Sequence, residues 1–178
     1  FLLEDGIGHV KVSNFERHTA EELRDAIEKL GGRKLDGLIL DLRGNPGGVI
    51  EAAIKTAAIF LGEKETILWV QARNKPQEEL QVPDGNKSYN LLLSVLVDSK
   101  TASAAELVAA ALQDNDRATL IGQRSYGKGV IQSVFSLSEN TALALTTAQY
   151  LTPKKKRIQR PIGKCGGFHL AACLDNNG

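Results

Sequence analysis

The chain has 178 residues, of which 42% are hydrophobic and 24% charged, with a formal net charge of +1 at pH 7. That length suits one domain with a sizeable core, and the charge balance supplies no field to attract nucleic acid or an anionic membrane. The longest nearly apolar run, "LLLSVLV" from Leu91, is far too short to span a bilayer. No cationic stretch leading into an apolar one and a small-residue cleavage site opens the chain. With no Met anywhere, it is expected to be a processed or truncated piece of a longer product.

In chain order, "GHVKVSNF" alternates as a strand does. "HTAEELRDAIEKLGG" follows as a helix. Thr19 and Glu22 stand at capping-box spacing, Leu23, Ala26, Ile27 and Leu30 share one face, and Gly31 is a stop. "LDGLILDLRG" is a continuously apolar strand of the kind buried on both faces of a parallel sheet. A second helix is expected from Val49 to about Leu61, then a strand at "TILWVQAR", then a polar loop or small hairpin over 74–90.

"LLLSVLVD" repeats the buried-strand pattern and "SAAELVAAALQDN" is an Ala-rich helix. "ATLIG", "GVIQSVFSL" and "TALALTTAQYL" are three further strands, the last alternating cleanly. This order describes an α/β domain with right-handed crossovers and an antiparallel addition near its end. "KKKR" at 154–157 reads as a solvated turn after Pro153. His9 and His18 have no ligand-spaced neighbours and read as surface residues. In the tail, Cys165, His169 and Cys173 offer three possible metal ligands where a closed structural site needs four. That segment, 164–178, is expected to be a poorly ordered tail, or to hold a disulfide if the protein is exported.

Three stretches carry candidate chemistry. "GQRSYGKG" is one residue short of a phosphate-binding loop, because Gly129 stands where a Ser or Thr would hold Mg²⁺. A phosphate loop also opens a helix, whereas the residues after Lys128 read as a strand. Flanked by Gly127 and Gly129, Lys128 is expected to turn inward; in a water-poor site a lysine loses part of its preference for the charged form and can act as a general base. Ser103 stands where a buried strand becomes a helix, so it reads either as a plain N-cap or as a nucleophile beside the free amide of Ala104. In "DLRGNPGG", Gly47 and Gly48 precede the next helix and could aim amides at an oxyanion, hold a phosphate, or merely make a tight turn.

Taken in order, "GLILDLRGNPGG", "TASAAELVAAALQD", "GQRSYGKGVIQSV" and "TALALTTAQYLTP" resemble the C-terminal processing peptidases, also called tail-specific proteases. The resemblance runs from about Gly6 to Ile162. It implies a crotonase/ClpP-like α/β core, a mostly parallel sheet flanked by helices with added antiparallel strands, with residues 1–163 as the protease core. It also implies that Ser103 is the nucleophile, Lys128 the general base, Gln132 the residue that orients the lysine, and the amides of Gly48 and Ala104 the oxyanion hole. Asp114 matches a position of the family pattern and is expected to be structural; Glu106 also matches the pattern and, in the first helical turn, could equally serve the helix dipole. Ala105 stands where the family often has a second Ser.

The implied reaction is cleavage of protein or peptide substrates near their C-termini through an acyl-enzyme, with no metal or nucleotide. The resemblance further implies an exported protein (periplasm, extracellular space or thylakoid lumen) and an upstream PDZ module that captures the substrate C-terminus. Two other readings use related folds. A ligand-binding module like the retinoid-binding proteins would not need Ser, Lys and Gln together. A crotonase-like acyl-CoA enzyme would need a catalytic carboxylate and an adenosine site. An inactive isolated core is the third alternative.

Overall fold

The computed structural model describes residues 1–3, 6–138 and 141–160. In it the alternating and apolar runs become strands β1 (Ile7–Lys11), β2 (Gly37–Asp41), β3 (Thr66–Ala72), β4 (Glu78–Gln81), β5 (Leu92–Val97), β6 (Thr119–Gly122), β7 (Val130–Ser138) and β8 (Thr141–Leu151). Helices α1 (Thr19–Leu30), α2 (Ile50–Ala58) and α3 (Ala104–Asp114) and a 3₁₀ turn at Gly32–Lys34 lie between them. One sheet is parallel, ordered β1-β2-β5-β6. The other is antiparallel, ordered β4-β3-β8-β7. The α/β architecture is the expected one, and the antiparallel strands form a sheet as wide as the parallel one.

Helix α3 is the central packing element. Among its residues only Gln113 is not buried, and its alanines let it lie close to α2, β3 and β6. A helix apolar on every side belongs in a core rather than on a surface. Leu23 and Ile27 of α1 join Leu38, Leu40, Val95, Leu107 and Val108 in the same cluster. Strand β5 departs from the expected burial on both faces. Leu93, Val95 and Val97 are buried, whereas Leu92 is 80% exposed and Ser94 and Leu96 are half-buried. The helices collect on the first of these faces, and among the described residues little covers the second.

Several local expectations change. Thr19 is the first residue of α1, not its cap; His18 occupies the cap, and the Thr19 hydroxyl accepts the Glu16 amide at 2.9 Å. The turn at 16–19 thus takes the hydroxyl that a capping box would have used. Helix α2 stops at Ala58, and 59–60 continue as a turn. His9 is half-buried rather than exposed. Phe1 folds back along β1, exchanging bonds with His9 and stacking on its ring at 4.5 Å, and the imidazole sits 3.4 Å from the Asp41 carboxylate. Residues 154–157 do form an exposed turn, with Lys155 at 4.0 Å over the Trp69 ring. Cys165, His169 and Cys173 lie outside the described residues.

Asp114, at the end of α3, ties that turn to the core. Its buried carboxylate accepts the Thr152 hydroxyl and the Lys154 amide, and Lys156 Nζ lies 3.8 Å from the other oxygen. We expect Asp114→Ala to cost about 1–3 kcal/mol in a urea titration while the folded protein keeps any reactivity of Ser103. Loss of that reactivity at unchanged stability would give Asp114 a role in chemistry instead.

Candidate active site

Three adjacent parallel strands end level with one another. Asp41 of β2 pairs with Leu96 of β5, and Val97 of β5 pairs with Gly122 of β6. The loops that leave them, 42–49, 98–103 and 123–129, therefore start from one edge of the sheet, the carboxyl edge where open α/β folds place their ligands. These are the three stretches that carried candidate chemistry in the sequence.

Polar groups, Asn45 and Thr101 fully buried among them, stitch the loops together. Asp98 Oδ1 accepts the amides of Gly44, Lys100 and Thr101 at 2.9–3.0 Å, and the Thr101 hydroxyl also donates to the Leu42 carbonyl at 2.9 Å. Asn45 is fully buried. Its side chain donates to the Val12 carbonyl and accepts the Gly47 amide, while its own carbonyl accepts the Ala102 amide at 2.9 Å. The Pro-Gly-Gly turn is pinned from the other side by Phe15, whose amide donates to the Gly47 carbonyl and whose carbonyl accepts the Val49 amide. Glycine is required at both positions. A Cβ on Gly47 would come within 2.8 Å of Ser103 Cβ, and one on Gly48 within 2.1 Å of the Phe15 carbonyl.

With the Gly47 amide bonded to Asn45, the Gly48 amide is the one in this turn that has no acceptor among the described residues. The Ala104 amide, in the first turn of α3, has none either, as expected for a helix N-terminus. The missing Cβ of Gly47 lets the turn lie against this peptide, since that Cβ would stand 2.9 Å from the Ala104 nitrogen.

Ser103 is the N-cap of α3, half-buried, with φ 54° and ψ −119°. A residue with a side chain pays about 1–3 kcal/mol for such a conformation, so its surroundings must hold it there. Glu106 does so. Its fully buried carboxylate accepts the Ser103 amide at 2.8 Å and the Lys128 amide at 2.8 Å on Oε2. On Oε1 it accepts the Ser125 hydroxyl at 2.6 Å and the Gly127 amide at 2.7 Å. Four donors fill the four acceptor positions of a carboxylate. Since one oxygen takes both amides, the nitrogens of Ser103 and Lys128 lie no further apart than the sum of those two bonds.

Lys128 differs from expectation: its side chain is exposed, not turned into a dry site. The flanking glycines serve another purpose. A Cβ on Gly127 would meet Arg160 at 2.8 Å and one on Gly129 would meet Gln159 at 2.7 Å, so they allow residues 158–160 to press against the loop. By alternation from these two glycines, Lys128 falls on the opposite side. Strand β7 follows directly, which agrees with the rejection of a phosphate loop. Gln132 lies four residues on, exposed. Among the described residues no hydrogen bond joins the Lys128 ammonium to Ser103 Oγ or to Gln132, and no cluster of His, Cys, Asp and Glu could hold a metal. Sequence reasoning missed Asp98, Asn45 and Ser125. The available signal was an Asp ending one buried strand and an Asn in the turn after another, both favoured for bonding nearby amides.

The sequence pattern of peptidase family S41 matches residues 6–164. The chain belongs to peptidase family S41. This S41 chain is 42% identical over 154 residues to the carboxyl-terminal-processing protease of Synechocystis sp., a match covering 86% of this chain and 36% of that protein. It is 38% identical over 159 residues to the carboxy-terminal processing protease CtpA of Bacillus subtilis, covering 89% and 34%. Among solved structures it is similar to a photosystem II D1 C-terminal processing protease, with a TM-score of 0.79 and 32% identity over 89% of this chain and 42% of that one. The chain thus spans about a third of the length of the curated relatives it matches.

Two measurements test the loop-holding groups. Glu106→Gln would turn an NH₂ group toward donors, and we expect a loss of about 2–4 kcal/mol in a urea titration; an unchanged midpoint would mean that the carboxylate does not hold the loops. The second concerns acid. Hydrogen bonding from the Arg43 guanidinium outweighs burial and holds the Asp41 carboxyl below its ordinary value. At Asp98 burial pushes the carboxyl up, but the amides of Gly44, Lys100 and Thr101 and the Thr101 hydroxyl outweigh it and the net direction is again down. A carboxyl with a lowered folded-state pKa contributes stability that is complete above its unfolded value, about 3.9, and lost as pH falls through the folded one. Asp41→Asn and Asp98→Asn should therefore each flatten the fall in unfolding free energy below about pH 4. An acid limb identical to that of the unmodified chain would contradict this.

Proposed function

We propose that this chain is the catalytic core, residues 1–163 with 164–178 as a tail, of a serine endopeptidase that cleaves protein or peptide substrates near their C-termini. Ser103 is the nucleophile, Lys128 the general base, Gln132 the residue that orients it, and the amides of Gly48 and Ala104 the oxyanion hole. The observation that carries this reading is the single Glu106 oxygen that takes the amides of both Ser103 and Lys128. A simple helix cap has no reason to be tied to a lysine loop from another strand. Family membership supports the same assignment.

Lys128 has a flexible four-carbon stem, so rotation about it brings Nζ from solvent to Ser103 Oγ while the backbones stay clamped. Gln132 shares its side of the strand, because side chains alternate. Neutral Lys128 takes the Ser103 proton, the oxygen attacks the scissile carbonyl, and the negative oxygen rests on the amides of Gly48 and Ala104. The lysine then protonates the leaving amine, and a water deprotonated by it frees the acyl group. Since Lys128 is exposed in this chain, the bound peptide itself has to displace water from the dyad. We further propose an upstream PDZ module that delivers substrate C-termini and a location outside the cytosol. The processing peptidases of Arabidopsis, chloroplastic by name, support such a location. No helix among the described residues is long and apolar enough to cross a membrane.

A fluorophosphonate should label Ser103, and Ser103→Ala, Lys128→Ala and Lys128→Arg should each abolish labelling and peptide cleavage. The double alanine variant should be no worse than either single one, because a dyad acts as one unit. kcat/KM should rise on one ionisation above the ordinary histidine value of about 6.5. Replacing His9, His18 and His169 together should leave that profile in place. Additive partial losses, or a folded triple-histidine variant without activity, would overturn the serine–lysine assignment.

A further inference from the structure

Past Lys128, strand β7 carries Val130 and Gln132 on the side away from residues 158–160. Val130 stands level with Gln149 of β8, and Gln149 with Gln71 of β3. Directly opposed residues share a face of the sheet, and here the Gln149 amide donates to Gln71 Oε1 at 3.0 Å. This row lines a groove of about 370 Å³ that also takes in Thr146, which is level with Gln132, and the turn from Arg73 to Lys75 at the end of β3. The groove therefore continues from the side of β7 that bears Lys128 and Gln132.

Its charge is one-sided. Arg73 and Lys75 are exposed, neither has an acidic partner among the described residues, and no carboxylate lines the groove. From Lys128 the row of Gln149 and Gln71 begins about 7 Å along β7, and Arg73 lies about 7 Å beyond Gln71 and about 10 Å across two strand spacings, roughly the reach of five extended peptide residues. The geometry points to this groove as a substrate subsite that takes a carboxylate on Arg73 and Lys75, with Gln71 and Gln149 bonding the adjoining peptide groups. A groove lined by a guanidinium and an ammonium favours a carboxylate and repels a basic side chain. The inference rests on the assignment of Ser103 and Lys128 as the reacting pair. It adds the chemical class of residue selected near the cleaved bond.

Two sources could supply that carboxylate, an Asp or Glu side chain or the peptide's free C-terminus. The test uses short fluorescein-labelled peptides that differ by Glu or Gln, each with a free or an amidated C-terminus. Binding to the Ser103→Ala protein is read by fluorescence anisotropy. The acidic peptide should bind roughly three- to tenfold tighter than its neutral counterpart at low salt, with the difference shrinking as salt is added. A preference that follows Glu against Gln assigns the side chain, and one that follows free against amidated assigns the terminus. In Arg73→Gln/Lys75→Gln the preference should vanish while the neutral peptide binds as before. Equal binding of acidic and neutral peptides, no binding of either, or a preference that survives the double substitution would overturn the subsite. Fluorophosphonate labelling of the unmodified protein reads the serine–lysine pair without any peptide. Labelling without a carboxylate preference sinks the groove alone, and a preference without labelling sinks the enzyme reading alone.

Discussion

A single buried carboxylate organises this molecule's candidate chemistry. Removing a charged group from water costs several kcal/mol, and Glu106, at the third helical position of α3, is fully buried. The cost is offset because four donors converge on it, three of them backbone amides, at the positive end of a helix. Those donors come from the Ser103 turn and from the 125–128 loop. Satisfying Glu106 and assembling the site are therefore one event.

The same logic extends to the neighbouring loop. Asp98 and Asn45 bond amides and carbonyls across the gap between β2 and β5, so the Pro-Gly-Gly turn cannot drift from the Ser103 turn. Rigidity of this kind explains how Ser103 is kept at positive φ. Strain in one residue persists only where the surroundings over-determine it. In the proposed reaction, an amide pair fixed beforehand would receive developing negative charge without reorganisation.

Against this fixed frame Lys128 presents the exposed side chain. Its backbone is clamped and its side chain is in solvent. In the proposed reaction a substrate has to cover this exposed side chain and displace its water. The groove proposed to hold that peptide lies on β7, β8 and β3, with the Gln71 and Gln149 side chains bonded across the strands and Arg73 and Lys75 in its lining.

Much of the fold was legible in the residues themselves. Period-two alternation, the apolar runs ending in Asp41 and Asp98, the Ala-rich α3 and the order of strands and helices are properties of local sequence. So are the candidate groups Ser103, Lys128 and the Gly47-Gly48 turn, because each sits beside a recognisable change from strand to helix or from loop to strand. What local sequence did not determine was which side chains these groups would meet. Glu106 looked like a dipole-compensating residue, and nothing nearby in sequence shows that Gly127 and Lys128 would donate to it. The glycines around Lys128 suggested a bend inward, yet only the approach of residues 158–160 reveals that they make room for another segment. Thr19 lost its capping role to a turn before it, and β5 lost its second buried face to the placement of the helices. The sequence by itself determined the elements and the chemistry they carry. Only the tertiary structure decided their partners, because hydrogen bonds across loops and the covering of a sheet face join residues far apart in the chain.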